Sequence, residues 1–256
     1  MSRAPSDRLR DVYEQRAELD YAHPVDLPDG RVDRKFSRMT ALIAGTLPAE
    51  SLLDAGCGDG RFLAAVARLP SRPARLVGCD ISERILQTAA EALAREDVSA
   101  EFVRANLEQL PFTDGSFDRV LSIQVVEHLL DPKTGIQELV RVLKPGGTLV
   151  LSTDNSKNYV SRGLNLPRTA LVRALNLRGK RAKVSFPHRS FTRDEMVSAV
   201  HSCGVDIEHV ETFRFHIDGL SAAPVQRLLN AVENVSPPHG WGDILAVVAR
   251  KPSVAV

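Results

Sequence analysis

The chain has 256 residues, 43% hydrophobic and 25% charged, with a formal net charge of +1. These values suit one globular α/β domain with elaborations and exclude a disordered, fibrous or strongly polyelectrolyte protein. So small a net charge gives no global attraction to nucleic acid or membranes. Three scattered cysteines, Cys57, Cys79 and Cys203, form neither a disulfide framework nor a zinc site, so a reducing compartment is expected.

From Met1 to Arg16 the chain is charged and lacks the apolar run of a signal peptide. No window approaches the roughly 20 apolar residues of a membrane span. The expectation is a cytoplasmic protein in which the triplet Asn234-Val235-Ser236 is a chance match to a glycosylation site. Residues 1–47 read as a helical lid, broken between Pro24 and Gly30, ahead of a main domain over 48–256. Ser51–Asp54 is the first predicted strand, and a glycine-rich turn then opens a helix from about Gly60 to Leu69. Arg75–Asp80 is the second strand, and Ser82 is a suitable N-cap for a helix running to about Arg95. Further strands are predicted at Glu101–Arg104, Phe117–Ser122 and, after the turn Lys144-Pro145-Gly146-Gly147, at Gly147–Ser152. Residues 155–193 break the pattern. A helix over Arg193–Cys203 and strands near Ile207–Phe215 and Asp243–Arg250 follow. Short apolar runs alternating with helical patterns are the mark of βαβ units and a parallel sheet.

Two features of this layout carry chemistry. The turn Asp54-Ala55-Gly56-Cys57-Gly58-Asp59-Gly60 joins a strand to a helix, where glycines let backbone approach a ligand and free N–H groups favour an anion. Its spacing is G-x-G-x-G, and Arg61 stands where the dinucleotide fingerprint would need its third glycine. Taken alone, such a turn has the plainer alternative of a tight strand-to-helix connection. Asp80 ends the second strand about 20 residues later, where a carboxylate can accept from both hydroxyls of a ribose. Its plainer alternative is to serve only the N-terminus of the next helix. Together the two mark the crevice beyond the strand ends in which open α/β sheets bind ligands.

LLDAGCGDGRFL (52–63), VGCDIS (77–82), ANLEQLPFTDGSFDRVLSIQVVEHL (105–129) and ELVRVLKPGGTLVLS (138–152) together resemble the class I S-adenosylmethionine-dependent methyltransferases. The likeness is to the small-molecule group that includes the ubiquinone and menaquinone biosynthesis methyltransferases, with weaker matches at 186–196 and 242–252. It implies a Rossmann-like, seven-stranded, mostly parallel sheet of order 3-2-1-4-5-7-6 with helices on both faces. It also implies S-adenosyl-L-methionine as cofactor. By position, the turn Gly56, Gly58 and Gly60 would hold the methionine end and Asp80 the ribose, with Asp54 and Ile81 also among the cofactor-binding residues. Asn106 and Leu107 would meet the adenine, and Gln124 would lie beside the sulfonium. Asn106 stands where the family usually has aspartate, although its side-chain oxygen can still accept from an adenine amino group. Asp114 and Asp118 would fix the turn before the fourth strand.

A sulfonium methyl is already activated, so a general base is needed only where the acceptor must lose a proton. His128, opening the helix after the fourth strand, and His188 are the candidate catalytic residues. Each has the alternative of capping a helix or tying loops together. Tyr13 and Tyr21 are candidates to close the lid, Cys57 reads as a small buried residue, and no metal site is expected. Residues 155–193 form a cap with ten basic side chains and no Asp or Glu. This suits an anionic acceptor, a peripheral contact with an anionic membrane, or a solvated face. The expected function is methyl transfer to O, N or C of a small molecule, anionic or quinone-like. Nucleic acid is disfavoured by the 5% aromatic content. An RNA methyltransferase and a non-catalytic cofactor-binding relative are the alternatives.

Overall fold

In a computed structural model the chain is described over residues 5–17, 34–156, 188–213 and 242–253. Two helices, α1 (Pro5–Ala17) and α2 (Arg34–Ala44), precede the sheet. Then come β1 (Ser51–Ala55), α3 (Arg61–Ala67), β2 (Arg75–Asp80), α4 (Glu83–Ala94), β3 (Glu101–Arg104) and β4 (Phe117–Ile123). A 3-10 turn (Val126–His128), α5 (Pro132–Val142), β5 (Leu143–Asp154), α6 (Arg193–His201), β6 (Asp206–Phe213) and β7 (Ile244–Arg250) complete the order.

The sheet has seven strands in the order β3-β2-β1-β4-β5-β7-β6. The first five pair in parallel, and β7 runs antiparallel to both β5 and β6. This is the expected order and orientation. Alternation along the central strands explains their nearly continuous apolar sequence. Leu53, Val77, Val120, Leu149, Leu151, Val247 and Ala249 join one core cluster, and Leu52, Leu76, Leu121, Val150, Ala246 and Val248 the other. Both faces are therefore buried, which parallel sheets require. The first cluster is closed by Ile136 and Leu139 of α5 and by Met196 and Val200 of α6. The second is closed by Met39 and Ile43 of α2, Leu63 and Val66 of α3, and Leu86 and Leu93 of α4. The edge strand β3 is instead charged and partly exposed, with Glu101 paired to Arg75 at 3.0 Å.

Local rules set the helix ends. Ser82 accepts from Ile85 N as the N-cap of α4, Asp131 caps α5 with Pro132 at its first position, and Thr192 and Glu195 form a capping box on α6. Two boundaries differ from expectation. β5 begins at Leu143, because Leu143 pairs with Phe117 and a register irregularity between Phe117 and Arg119 absorbs the Pro-Gly-Gly stretch. His128 closes a short 3-10 turn, and the helix that follows starts only at Pro132. Tyr21, the break at Pro24–Gly30, residues 157–187 of the basic cap, Phe215 and the triplet at Asn234 lie outside the described residues.

Candidate active site at the carboxyl ends of the strands

The turn after β1 folds back over the end of β2, with Gly56 N and Cys57 N donating to Cys79 O at 2.7 and 2.9 Å. Gly56, Gly58 and Gly60 all have positive φ, a region that favours glycine. Asp54 is 1% exposed, and its Oδ2 has no hydrogen-bond partner among the described residues. Burial, with Asp80 and Asp59 adding repulsion, pushes its carboxyl up to about 7.

Asp80 is also buried. Its Oδ2 accepts from Gly58 N at 3.2 Å and its Oδ1 from Ser82 N at 3.0 Å. Burial raises its pKa, while the backbone N–H groups of Ser82, Gly58 and Ile81 pull it down. One carboxylate therefore joins the glycine turn to the start of α4. Cys57 is buried too, and burial pushes its thiol well above the usual range, as befits a packing residue. Of the two residues expected at the adenine, Asn106 Oδ1 accepts from Glu108 N at 3.0 Å, and Leu107 is buried in the core.

The N-terminal helices brace this crevice through contacts with no local sequence signature. Glu14 of α1 accepts from Glu83 N at 2.8 Å and from Ser82 Oγ at 2.9 Å, capping the first turn of α4 across 69 and 68 residues. Lys35 of α2 donates to Gln124 Oε1 at 3.0 Å. Gln124 has a φ of 59°, a conformation seldom adopted outside glycine, and its buried Nε2 has no partner among the described residues. Strain of this kind gathers where a side chain must be aimed.

Beyond Gln124, Val125 leans against Gly56 and leads into the turn that carries Glu127 and His128. The His128 ring lies edge-on to His188 at 5.3 Å between centroids and to Tyr13 at 6.2 Å. His188 Nε2 is 3.0 Å from Asp154 Oδ2 at the end of β5. The structure therefore brings together both candidate histidines and Tyr13, and adds Asp154, which sequence reasoning missed. Asp114 and Asp118 stand away from this group. Asp118 accepts from Ser51 and Lys144, and Asp114 pairs with Arg141.

Glu127 is 2% exposed and receives Thr153 Oγ1 at 3.0 Å. Burial, reinforced by nearby Asp154, pushes its carboxyl up to about 8. Both Asp54 and Glu127 thus hold a proton in the folded chain that they release on unfolding once the pH exceeds their ordinary values of 3.8 and 4.5. Their contribution to stability is full below those values and is lost as the pH rises toward about 7 for Asp54 and about 8 for Glu127. In Glu127→Gln the decline in unfolding free energy between pH 4.5 and about 8 should be shallower than in the unaltered chain. Urea unfolding across that range measures it, and an unchanged slope would show that Glu127 is ionised in the fold.

Residues 53–151 match the family model described as a methyltransferase domain. The chain is 36% identical over 141 residues to a demethylmenaquinone methyltransferase of Clavibacter sepedonicus, covering 54% of each chain. It is 30% identical over 128 residues to the ubiquinone/menaquinone biosynthesis C-methyltransferase UbiE of Vibrio cholerae, covering 49% of each. The chain thus spans about half the length of these curated relatives. A solved S-adenosylmethionine-dependent methyltransferase from Mesorhizobium loti is 25% identical, with a TM-score of 0.58 over 82% of this chain and 96% of that one. The [4+2]-cyclase SpnF shares the fold at 20% identity and a TM-score of 0.59, over 92% of this chain and 85% of that one. This class I methyltransferase fold therefore does not by itself settle the reaction. Among the described residues, no helix is long and apolar enough to cross a membrane, and no group of acids, histidines and cysteines could hold a metal.

Proposed function

We propose that the protein transfers a methyl group from S-adenosyl-L-methionine to a small-molecule acceptor. The observation that carries this reading is the pair of buried carboxylates at adjacent strand ends, Asp54 with an unsatisfied oxygen and Asp80 bound to the glycine turn. A buried acceptor without a donor is costly unless a ligand supplies one, and the ammonium of a methionine moiety would do so. The orphaned Nε2 of Gln124 is likewise available to a ligand acceptor. The residues present fit the cofactor.

When bound, S-adenosylmethionine supplies an electrophilic methyl that needs no further activation. Asp54 and the turn at Gly56–Gly60 would hold its amino-acid end, Asp80 and Ile81 the ribose, and Asn106 and Leu107 the adenine. Gln124, fixed by Lys35, would border the reacting methyl. What remains for this chain is to align the acceptor and exclude water, tasks that suit α1 and the His128–His188 pair above the crevice. The names of the curated relatives support a quinone-like acceptor, methylated at carbon. Calorimetric titration with S-adenosylhomocysteine tests the cofactor assignment. Saturable binding at one site is expected, and absence of binding would overturn it.

A further inference from the structure

Two side chains bordering the glycine turn form an arrangement that a nucleoside does not need. We infer that Lys35 and the amide of Gln124 grip the carboxylate of the cofactor's amino-acid end, so that α2 selects a donor carrying that carboxylate. This deepens the methyltransferase reading above and rests on it. Lys35 lies outside residues 53–151, the part matched by the family model.

The periodicity of α2 carries Lys35 inward. Met39 and Ile43, both fully buried, follow it one and two helical turns later, so one stripe of the helix holds all three. The helix is fixed on both sides. Phe36 stacks on Phe62 of α3 at 5.3 Å between ring centroids, and Arg38 pairs with Glu211 of β6. From this frame Lys35 Nζ donates to Gln124 Oε1 at 3.0 Å. An amide whose oxygen is held in this way turns its nitrogen to the other side, and Nε2 is buried with no partner among the described residues. The backbone beneath is equally committed, since Gln124 N donates to Ser152 O at 3.0 Å and its φ is 59°. A buried donor without an acceptor is costly, so the partner that Nε2 calls for is a ligand oxygen.

The charge of that oxygen follows from its surroundings. The Lys35 ammonium favours an anion, and the nearby carboxyl of Glu127 is pushed by burial up to about 8, which leaves it mostly neutral at neutral pH. Val125, next after Gln124, stands against Gly56, and Asp54 is in register with Leu121 of β4. Lys35 and Gln124 therefore border the turn on which the amino-acid end would rest. That end is a zwitterion, with an ammonium and a carboxylate on one carbon. The two buried orphans beside the turn match it in kind, because an ionised Asp54 Oδ2 can only accept and Gln124 Nε2 can only donate. Ribose and adenine belong to the ends of β2 and β3, and the sulfonium is a cation with no acceptor atom to offer. Of the cofactor's groups, the carboxylate is the one that suits a cation and an amide N–H together.

The experiment is calorimetric titration of the unaltered protein, Lys35→Met, Lys35→Arg and Gln124→Leu with two ligands. S-adenosylhomocysteine carries both charges of the amino-acid end, and its decarboxylated analogue keeps only the ammonium. The unaltered protein should prefer S-adenosylhomocysteine by about 10–10²-fold. Lys35→Met should shrink that preference to within about threefold, by losing affinity for S-adenosylhomocysteine while binding the analogue almost as before. Unchanged binding of the analogue also reports that the variant's site is still folded. Gln124→Leu should reduce the preference in the same way, and Lys35→Arg, which keeps the charge, should retain most of it. Equal losses for the two ligands in both Lys35→Met and Gln124→Leu would overturn the inference and leave Lys35 as a brace for Gln124. A lack of preference in the unaltered protein would overturn it as well. Failure of both ligands to bind the unaltered protein would instead overturn the reading on which the inference rests.

Discussion

Asp80→Ala should weaken S-adenosylhomocysteine binding by about 10²–10⁴-fold. A ribose diol would donate two hydrogen bonds to this carboxylate, and bonds to a charged group contribute about 1.5–3 kcal/mol each. The same side chain accepts from Gly58 and Ser82, so its removal also loosens the glycine turn on which the amino-acid end would rest. Asp80→Asn separates the two effects. It keeps the shape and an acceptor oxygen, and should lose less affinity than Asp80→Ala at similar thermal stability. Burial raises the pKa of Asp80, so affinity should also fall as the pH is lowered through its titration and the carboxylate becomes neutral. Calorimetry across pH reads both outcomes. An affinity indifferent to Asp80 would mean that the nucleoside binds elsewhere.

Gly56→Ala should cost about 2–5 kcal/mol of folding stability, a large fraction of the ~5–15 kcal/mol typical of a domain. Two independent costs combine there. The backbone has a φ of 83°, which an L side chain tolerates poorly, and the added Cβ would stand 2.4 Å from Val125 Cγ2 and 2.8 Å from its Cγ1. Adding Val125→Ala relieves the overlap but not the backbone cost, so the double variant should recover only part of the loss. Urea unfolding of the two single variants and the double variant gives this coupling. Full recovery would mean that the backbone cost is negligible. The contact is also functional in consequence, because Val125 leads into the turn that carries Glu127 and His128. Glycine at 56 is thus required by packing and backbone conformation before any ligand is considered.

The parts of the molecule legible in sequence were those whose physics is local or periodic. β1, β2, β4 and β5 show as apolar runs because both faces of a parallel sheet are covered, and α4 announces its start through Ser82. The positions of β6 and β7 in the sheet came from resemblance, since two late strands can pair in several ways. The start of β5 was misplaced because Pro-Gly-Gly reads as a turn, whereas pairing of Leu143 with Phe117 draws that stretch into the strand. The site was half visible. Asp54, the glycines and Asp80 sit in two short segments with recognisable spacing. Glu14 on α4, Lys35 on Gln124 and Asp154 on His188 are pairs separated by 69, 89 and 34 residues, and no local pattern marks them. A strand ending in an acid after a long apolar run, as β5 does at Asp154, is the one signal that could have flagged the last of these.

Methyl transfer to a small molecule is the reaction proposed for this chain. It is tested most directly by incubating the protein with S-adenosylmethionine labelled in its methyl group, together with fractionated small metabolites or with RNA. The label should enter a small-molecule fraction, and transfer should fall sharply in Asp80→Ala. Label entering RNA alone, or remaining entirely in S-adenosylmethionine while S-adenosylhomocysteine still binds, would contradict it.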